Sequence, residues 1–515
     1  MRGTFESLSP ATGEVLATYP AHGEKEVADA VARARAAAEW WAGLSWQDRR
    51  LRLLAWKSHI TRYMTRLAAV AHEETGKPVD DARLEIVNAI LHLDWAARHA
   101  RAVLKPRRVP SGIAMINMAS SVEYHPLGVV GVIGPWNYPV FTPMGSIVYA
   151  LAAGNAVVFK PSELTTGTGE WLVSSFAQVL KEVFGEDQPV LQLVTGLGET
   201  GGFLASSPGL DKIAFTGSPG TARKVMAAAA AHLTPVLAEC GGKDAMLVDA
   251  SADLDAAADA AAWGAMSNAG QTCVGIERVY VVSSVYDAFV GKLMEKVSAL
   301  RVGDDGDASY GPMTLPSQAG IVDRHLREAV SRGGQAVVGG VDAVETPYIK
   351  PVVLTDVPED AAAVREETFG PVVTVTRVQS LDDGVRLANA SAYALGSAVF
   401  TRGRAAGLTA ARALRAGMTS VNSVIAFAAV PALPFGGSGE SGFGRVHGAD
   451  GLREFSRAKA ITRQRMKPLL RTTTFRRTPQ DMDRIVRLIT VLHGGLKQPR
   501  KQARPGPQEP REARR

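Results

Sequence analysis

Two cysteines in 515 residues are too few for a disulfide framework, so the fold cannot rest on cross-links of the kind small secreted domains use. No apolar stretch is long enough to span a bilayer without interruption. The N-terminus shows no basic leader followed by an apolar run, so neither secretion nor organelle import is expected. There is no repeat of solenoid period and no low-complexity segment before the C-terminal tail. Aromatic residues make up 6% of the chain, and no aromatics interleave the basic stretches, which argues against nucleic acid as a partner. What is present is 46% hydrophobic and 21% charged residues, the composition of a globular protein. Its length exceeds what one core usually organises, so two or three domains are expected.

The net charge of +6 is unevenly spread. From Ile461 to Arg515 there are 15 Lys/Arg against 4 Asp/Glu, a balance of +11, which leaves −5 for the first 460 residues. The body is therefore mildly acidic and the tail alone is basic.

Glu24 to Trp41 is Ala-rich, and Gln47 to Ala71 repeats apolar residues at helical spacing, so the N-terminal region reads as helical. Short β-rich runs then alternate with helical segments: Val129 to Ile133, Ala156 to Phe159, Val190 to Val194 and Lys212 to Phe215. This alternation predicts a doubly wound α/β sheet. A second series, Ala245 to Val248, Val279 to Val282, Val372 to Val375 and Ala398 to Phe400, predicts a second α/β domain after Cys240. Pro110 to His125 reads as an extended arm. In the tail, Thr478-Pro479-Gln480-Asp481 is a helix start, with a cap, Pro at the first helical position and an early acid. Met482, Ile485, Val486, Ile489 and Leu492 then share a face, a helix expected to dock on the body, with a membrane surface as the alternative. Beyond Leu496 the Pro-, Gln- and Arg-rich composition predicts disorder.

Two stretches carry chemistry: Glu239-Cys240-Gly241-Gly242-Lys243 and Asn268-Ala269-Gly270-Gln271-Thr272-Cys273. A thiol is a strong soft nucleophile, and a carboxylate 34 residues earlier can serve as the base of a second step. Together they point to a covalent intermediate that water later cleaves. That use requires a reduced Cys273, so a cytoplasmic location is expected.

These stretches resemble the aldehyde dehydrogenase superfamily, and the resemblance extends from about Phe5 to about Ala460. It is carried also by Glu74-Thr75-Gly76-Lys77-Pro78, Pro135-Trp136-Asn137-Tyr138-Pro139, Lys160-Pro161-Ser162-Glu163, Phe215-Thr216-Gly217-Ser218, Glu366-Glu367-Thr368-Phe369-Gly370-Pro371-Val372 and Pro434-Phe435-Gly436-Gly437, in family order. The resemblance implies two doubly wound α/β domains and a β-arm oligomerisation region. Residues 1–107 and 128–240 would form the dinucleotide-binding domain, 241–442 the catalytic domain, 108–127 and 443–470 the bridging region, and 471–515 a basic tail. A homodimer or homotetramer is implied, with a strand near Glu454 to Ile461 packing on a neighbouring subunit.

The same resemblance implies that Cys273 attacks an aldehyde, that Asn137 and the Cys273 backbone N–H stabilise the oxyanion, and that Glu239 activates the water that hydrolyses a thioester. Surroundings that favour the Cys273 thiolate are expected. The cofactor would be NAD, with NADP as the alternative. Lys160, Ser162 and Glu163 would hold its adenine-ribose end, Gly217 and Ser218 the pyrophosphate, and Trp136, Glu367 and Phe369 the nicotinamide end. Glu163 favours NAD because a carboxylate accepts from ribose hydroxyls and repels a 2′-phosphate. Gly196-Leu197-Gly198-Glu199-Thr200-Gly201 fits a dinucleotide fingerprint, but the resemblance puts the pyrophosphate after the next strand. No metal is implied.

Tyr138, Phe141, Met144, Thr272, Val274, Phe427 and Phe435 are expected to line an apolar aldehyde funnel, which suits a medium-chain or aromatic aldehyde. Semialdehyde-specific relatives often clamp the distal carboxylate with an arginine near the position of Gly145, and none is evident here. Cys273 to Tyr280 nevertheless resembles succinate-semialdehyde dehydrogenases, so that substrate is the runner-up. A catalytically silent binding protein of the same fold is the third reading. Two departures from the family pattern are Ala222, where a glycine is frequent, and Cys240, where leucine is usual and where a disulfide with Cys273 is conceivable.

Overall fold

The computed structural model describes residues 3–468 and 473–495; the stretch expected to be disordered beyond Leu496 lies outside them. By its contacts the chain divides into two units, Met1–Lys105 with Tyr124–Ala458, and Pro106–Glu123 with Lys459–Arg515.

The first unit opens with helices. Glu24–Gly43 buries Val27, Ala30, Val31, Ala34, Ala37, Ala38 and Trp41, an i, i+3, i+4 stripe. The helical run expected from Gln47 to Ala71 is two helices, Trp46–Arg62 and Met64–Thr75, broken at Tyr63, whose backbone leaves the helical region. Trp41 and Trp56 are fully buried, and their indole N–H groups donate to the Leu151 carbonyl at 2.8 Å and to Ser175 Oγ at 2.9 Å. A buried tryptophan whose polar edge is satisfied loses none of its packing energy to an unpaired N–H.

Two sheets follow, each built on continuous apolar strands buried on both faces. The first has the order Gly442–Phe443, Val236–Glu239, Lys212–Thr216, Val129–Ile133, Ala156–Lys160, Leu191–Leu193. All neighbours are parallel except the Gly442–Phe443 edge. The chain winds outward from Val129–Ile133 to Leu191–Leu193 and then returns to the other side of Val129–Ile133 with Lys212–Thr216. That reversal opens a crevice at the carboxyl ends of the central strands, where ligands of doubly wound sheets bind.

The second sheet has the order Gln335–Val338, Val352–Thr355, Val372–Val378, Ile276–Val282, Asp244–Val248, Ser397–Phe400, Ser420–Val421. It is parallel apart from the Gln335–Val338 edge. Each sheet has its own apolar core. The aldehyde dehydrogenase-like α/β architecture expected from the sequence is thus observed.

In the second unit, the Pro110–His125 arm is a hairpin: Arg107–Val109 pairs antiparallel with Met118–Pro126, and Ser456–Gln464 completes a three-stranded sheet. The tail helix, Pro479–His493, is capped as the sequence predicts, by Thr478 and Asp481 in a reciprocal capping box. No residue of that helix is buried; Met482, Val486, Ile489 and Leu492 are exposed. No described helix is long and apolar enough to cross a membrane.

Candidate active site

The two sheets of the first unit meet a shared site with opposite ends. From the first come the carboxyl ends: the turn after Val129–Ile133, Lys160, Thr216 and Glu239. From the second come the amino ends: Asp244, Cys273 ahead of Ile276–Val282, and Glu367 to Phe369 ahead of Val372–Val378. One cavity is lined by Cys273, Glu239, Cys240, Tyr138, Thr272 and Val274, with Phe141, Phe435 and His447 also on its wall. The two stretches singled out in the sequence touch: a Cβ on Gly242 would lie 2.5 Å from the Cys273 carbonyl oxygen, so only a glycine lets the segment after Glu239 pass so close.

The segment before Cys273 is braced and strained. Asn268, Ala269 and Gly270 are consecutive left-handed residues, with φ of 53°, 55° and 71°. Asparagine tolerates this and glycine is free of cost, but alanine is held there against about 1–2 kcal/mol. The bracing is visible. Asn268 Nδ2 donates to the Asn137 carbonyl at 3.1 Å, Gln271 Nε2 donates to the Asn268 carbonyl at 2.9 Å, and Gln271 Oε1 accepts from the Thr314 backbone at 2.9 Å. The Gly270 backbone packs so closely on Gly370 that a Cβ would lie 2.1 Å from its carbonyl oxygen.

The facing turn is clamped by a buried ion pair. Lys77 Nζ donates to Glu85 Oε2 at 2.8 Å and to the Asn137 carbonyl at 2.7 Å, and it lies 4.3 Å from the Tyr138 ring centroid. Glu85 Oε1 accepts from the Val140 and Phe141 backbones at 2.7 and 2.9 Å. Asn137 donates its amide to the Gln271 carbonyl at 2.8 Å, and Tyr138 Oη lies 2.9 Å from Thr272 Oγ1. The turn and the cysteine segment therefore form one hydrogen-bonded unit.

The titratable groups of the site are buried or half-buried. Glu239 is 5% exposed and neither carboxyl oxygen has a hydrogen-bond partner; burial pushes its pKa well above the usual carboxylate value. Burial likewise raises Glu367 and Asp244 to about 8. Cys273 is pushed up too, by burial first and then by Glu367, Asp244 and Glu239, against which only the Val274 backbone acts. These protein groups alone therefore shift the Cys273 thiol upward, away from the thiolate. Cys240 is also a free thiol, raised to about 12 by burial.

At the proposed cofactor end, Lys160 is 4% exposed and gives one hydrogen bond, to the Pro161 carbonyl at 3.0 Å, with Glu163 at 3.9 Å. Ser162 Oγ accepts from the Leu164 backbone at 3.3 Å. Gly217 donates its N–H to the Glu239 carbonyl at 3.1 Å. Ser218 caps the helix Pro219–Ala230, and Ala222 makes a regular first-turn bond to the Ser218 carbonyl at 2.9 Å, so the missing glycine leaves the turn intact. Glu367 accepts from the Gly242 backbone at 3.0 Å, and Phe369 packs edge-on to Trp136 at 5.5 Å. Gly198–Ala205, within the decoy glycine motif, is an eight-residue helix and contributes nothing to the cavity wall.

The model of the Aldehyde dehydrogenase family matches residues 1–461. The chain belongs to the aldehyde dehydrogenase family. It is 36% identical to 4,4'-diapolycopene aldehyde oxidase of Methylomonas sp, covering 88% of this chain and 84% of the relative. It is 35% identical to a Mycolicibacterium smegmatis protein named for NADP(+) succinate-semialdehyde dehydrogenase, covering 88% of each. Among solved structures, an NAD-dependent aldehyde dehydrogenase from Sinorhizobium meliloti superposes with a TM-score of 0.86 at 32% identity, over 92% of this chain and 93% of that one.

Within this aldehyde dehydrogenase, two residues expected on the funnel wall sit elsewhere, and Asn137, expected to serve the oxyanion, lies behind that wall. Met144 is fully buried in the core of the first sheet, and Phe427 packs on Phe435 with its ring toward Gly396. Neither lines the cavity, because the helix Phe141–Ala153 turns Met144 inward. Asn137 is not on the wall either; it lies in the bonded layer between the turn and Gln271. Conversely, sequence reasoning missed Glu85, which looks like any acid on an amphipathic helix. It also missed the buried Lys243–Glu277 pair, which holds the Thr368 and Phe369 backbones. His447 was missed as well: its imidazole faces Gly145, where a Cβ would lie 2.6 Å from Nε2.

Proposed function

We propose that this aldehyde dehydrogenase oxidises a neutral medium-chain or aromatic aldehyde to the carboxylic acid through a thioester on Cys273, with NAD as the preferred acceptor. The observation that carries this reading is one mainly apolar cavity shared by a thiol and a carboxyl with no hydrogen bonds from protein groups. Cys273 Sγ adds to the carbonyl carbon as the thiol gives up its proton to solvent. The second N–H of the Asn137 amide and the Cys273 backbone N–H would stabilise the oxyanion. When bound, a nicotinamide dinucleotide supplies the acceptor for the hydride that leaves the former aldehyde carbon. Glu239 then takes a proton from water, which attacks the thioester, frees the acid and returns the thiol.

The residues present fit such a cofactor. The Lys160 ammonium is buried with spare donors, and burial lowers its pKa; ribose hydroxyls are suitable acceptors. The N-terminus of Pro219–Ala230 suits a phosphate. Glu163, with its side chain 42% exposed, disfavours a 2′-phosphate.

The substrate class is supported by the charge of the wall. Its one lysine, Lys77, is spent on Glu85, while Asp81 and Glu239 add acids. A distal carboxylate would find no unpaired cation on this wall. Succinate semialdehyde is the second reading, favoured by the name of the Mycolicibacterium relative. A panel of aldehydes with NAD and NADP tests both, and a clear kcat/KM advantage for succinate semialdehyde would select the second. Cys273→Ala should lose oxidation while keeping NAD affinity; turnover near wild type in that variant would refute the thioester route. A homo-oligomer is part of the proposal: Ser456–Gln464 is an outer strand with mostly exposed residues, a suitable edge for another subunit. Light scattering gives its size.

A further inference from the structure

His447 is an expensive residue to keep where it is. It heads the helix Gly448–Glu454 with φ 64° and ψ 165°, a conformation almost confined to glycine. The surroundings hold it there. The Gly448 N–H donates to the Pro431 carbonyl at 3.0 Å and lies 3.2 Å from Tyr149 Oη, and the Gly451 N–H donates to the His447 carbonyl at 2.8 Å. The side chain so carried is 2% exposed and makes no hydrogen bond through either ring nitrogen. Its neighbours are rings: His92 at 3.9 Å, Phe141 at 5.5 Å, Phe435 at 5.6 Å and Tyr149 at 5.7 Å between centroids.

A buried imidazole with unmet polar atoms costs stability unless something satisfies it, and a phenyl ring would fill the same aromatic nest without that cost. His447 also lines the cavity that holds Cys273, together with Phe141 and Phe435. Nδ1 is enclosed and unpaired, which leaves Nε2 as the nitrogen available to a ligand. His92 does not supply the missing partner: its Nε2–H is given to the Ala428 carbonyl at 3.0 Å, its Nδ1 is likewise unpaired, and the rings meet without a hydrogen bond.

The charge of the partner follows from the same surroundings. Burial and the adjacent His92 keep His447 neutral at physiological pH, and the nearest ammonium, Lys77, is committed to Glu85. A carboxylate would meet one neutral N–H and acidic walls. A hydroxyl meets either tautomer of a neutral imidazole, because it both donates and accepts.

We propose that His447 is a specificity-determining residue that hydrogen-bonds a neutral hydroxyl on the aldehyde, remote from the reacting carbonyl. The inference rests on the cavity being the aldehyde pocket, and it narrows the substrate class to hydroxylated aldehydes, phenolic or alcoholic.

The test compares kcat/KM for benzaldehyde with its 3- and 4-hydroxy forms, and hexanal with 6-hydroxyhexanal. It uses the full-length enzyme, His447→Phe and His447→Asn. Asparagine tolerates positive φ and keeps a donor and an acceptor. In wild type at least one hydroxylated aldehyde should be preferred to its parent by about tenfold, the scale of one buried hydrogen bond. His447→Phe should erase that ratio while leaving the parent within about threefold, and His447→Asn should keep part of it. An unchanged ratio in His447→Phe overturns the proposal. Calorimetric binding of benzamide and its 3- and 4-hydroxy forms to wild type needs neither a variant nor turnover. Equal affinities for all three amides also overturn it. A hydroxyl preference in the amides without oxidation of any aldehyde would sink the proposed reaction and leave the His447 contact standing.

Discussion

Glu239→Gln separates the two halves of the proposed reaction. Both Glu239 oxygens lack hydrogen-bond partners, so the amide breaks no bond, and it replaces a carboxyl whose charged form burial disfavours. The change should therefore cost little stability. Its effect on stability against pH has a definite sign. The folded-state pKa lies above the usual 4.5, so above about pH 4.5 the unfolded chain has released a proton that the folded chain still holds. Stability falls as pH rises from there to the folded pKa, by about 1.4 kcal/mol per unit from this group. Glutamine has no such penalty, so the melting temperature of the variant should gain on wild type with rising pH. In catalysis the loss falls on the second step. Rapid mixing should show an NADH burst of about one per active site followed by turnover reduced about 10²–10⁴-fold, the usual worth of a positioned base. The wild-type kcat should rise with pH above the ordinary carboxylate range, and that limb should vanish in the variant. Loss of the burst would show that Glu239 acts on the thiol instead. An unchanged pH profile would remove it from the chemistry.

Two other substitutions probe the cofactor end and the nucleophile segment. Glu163→Gln should raise the NADP-to-NAD ratio of kcat/KM about tenfold, the size expected for one partly screened charge pair, and an unchanged ratio would assign the choice to another group. Gly270→Ala sets a methyl 2.1 Å from the Gly370 carbonyl at a φ of 71°, and should cost about 3 kcal/mol or more in denaturant unfolding together with most of the activity.

How far the sequence reached depended on whether a feature was local. The strands Val129–Ile133 and Ala156–Lys160 announce themselves because they are buried on both faces and read as unbroken apolar runs. The break at Tyr63 does not, since the apolar spacing continues across it. Cys273 and Glu239 were legible from chemistry plus flanking glycines, and the flanks proved to be the points where backbones cross. Lys77 lay inside a recognised stretch but its task did not: the pair with Glu85 exists only once a helix and a turn are brought together. Met144 lies one helical turn from Phe141 and so reads as a neighbour on its face, but burial depth is not written in the spacing: it sits fully enclosed in the core of the first sheet. His447 was invisible because positive φ leaves no trace in a histidine's identity.

The bracing of the site is asymmetric, and the proposed reaction gives that asymmetry a use. The segment carrying Cys273 is fixed by Asn268, Gln271 and the Tyr138–Thr272 contact, which keeps the nucleophile in one place against the strain of Ala269. Glu239 sits on a strand held by pairing with Gly442 and by the Gly217 N–H, so its backbone is equally fixed. Its carboxyl, by contrast, is bonded to nothing. A two-step reaction asks for this difference. The thiol must meet the carbonyl at a set distance, whereas the base is not needed until the acyl group is in place and must then reach a water. A carboxyl with no hydrogen bonds to break can turn between those positions without loss; burial disfavours its charged form and the Arg445 charge opposes that bias, and the ionised form is the one that takes the proton from water.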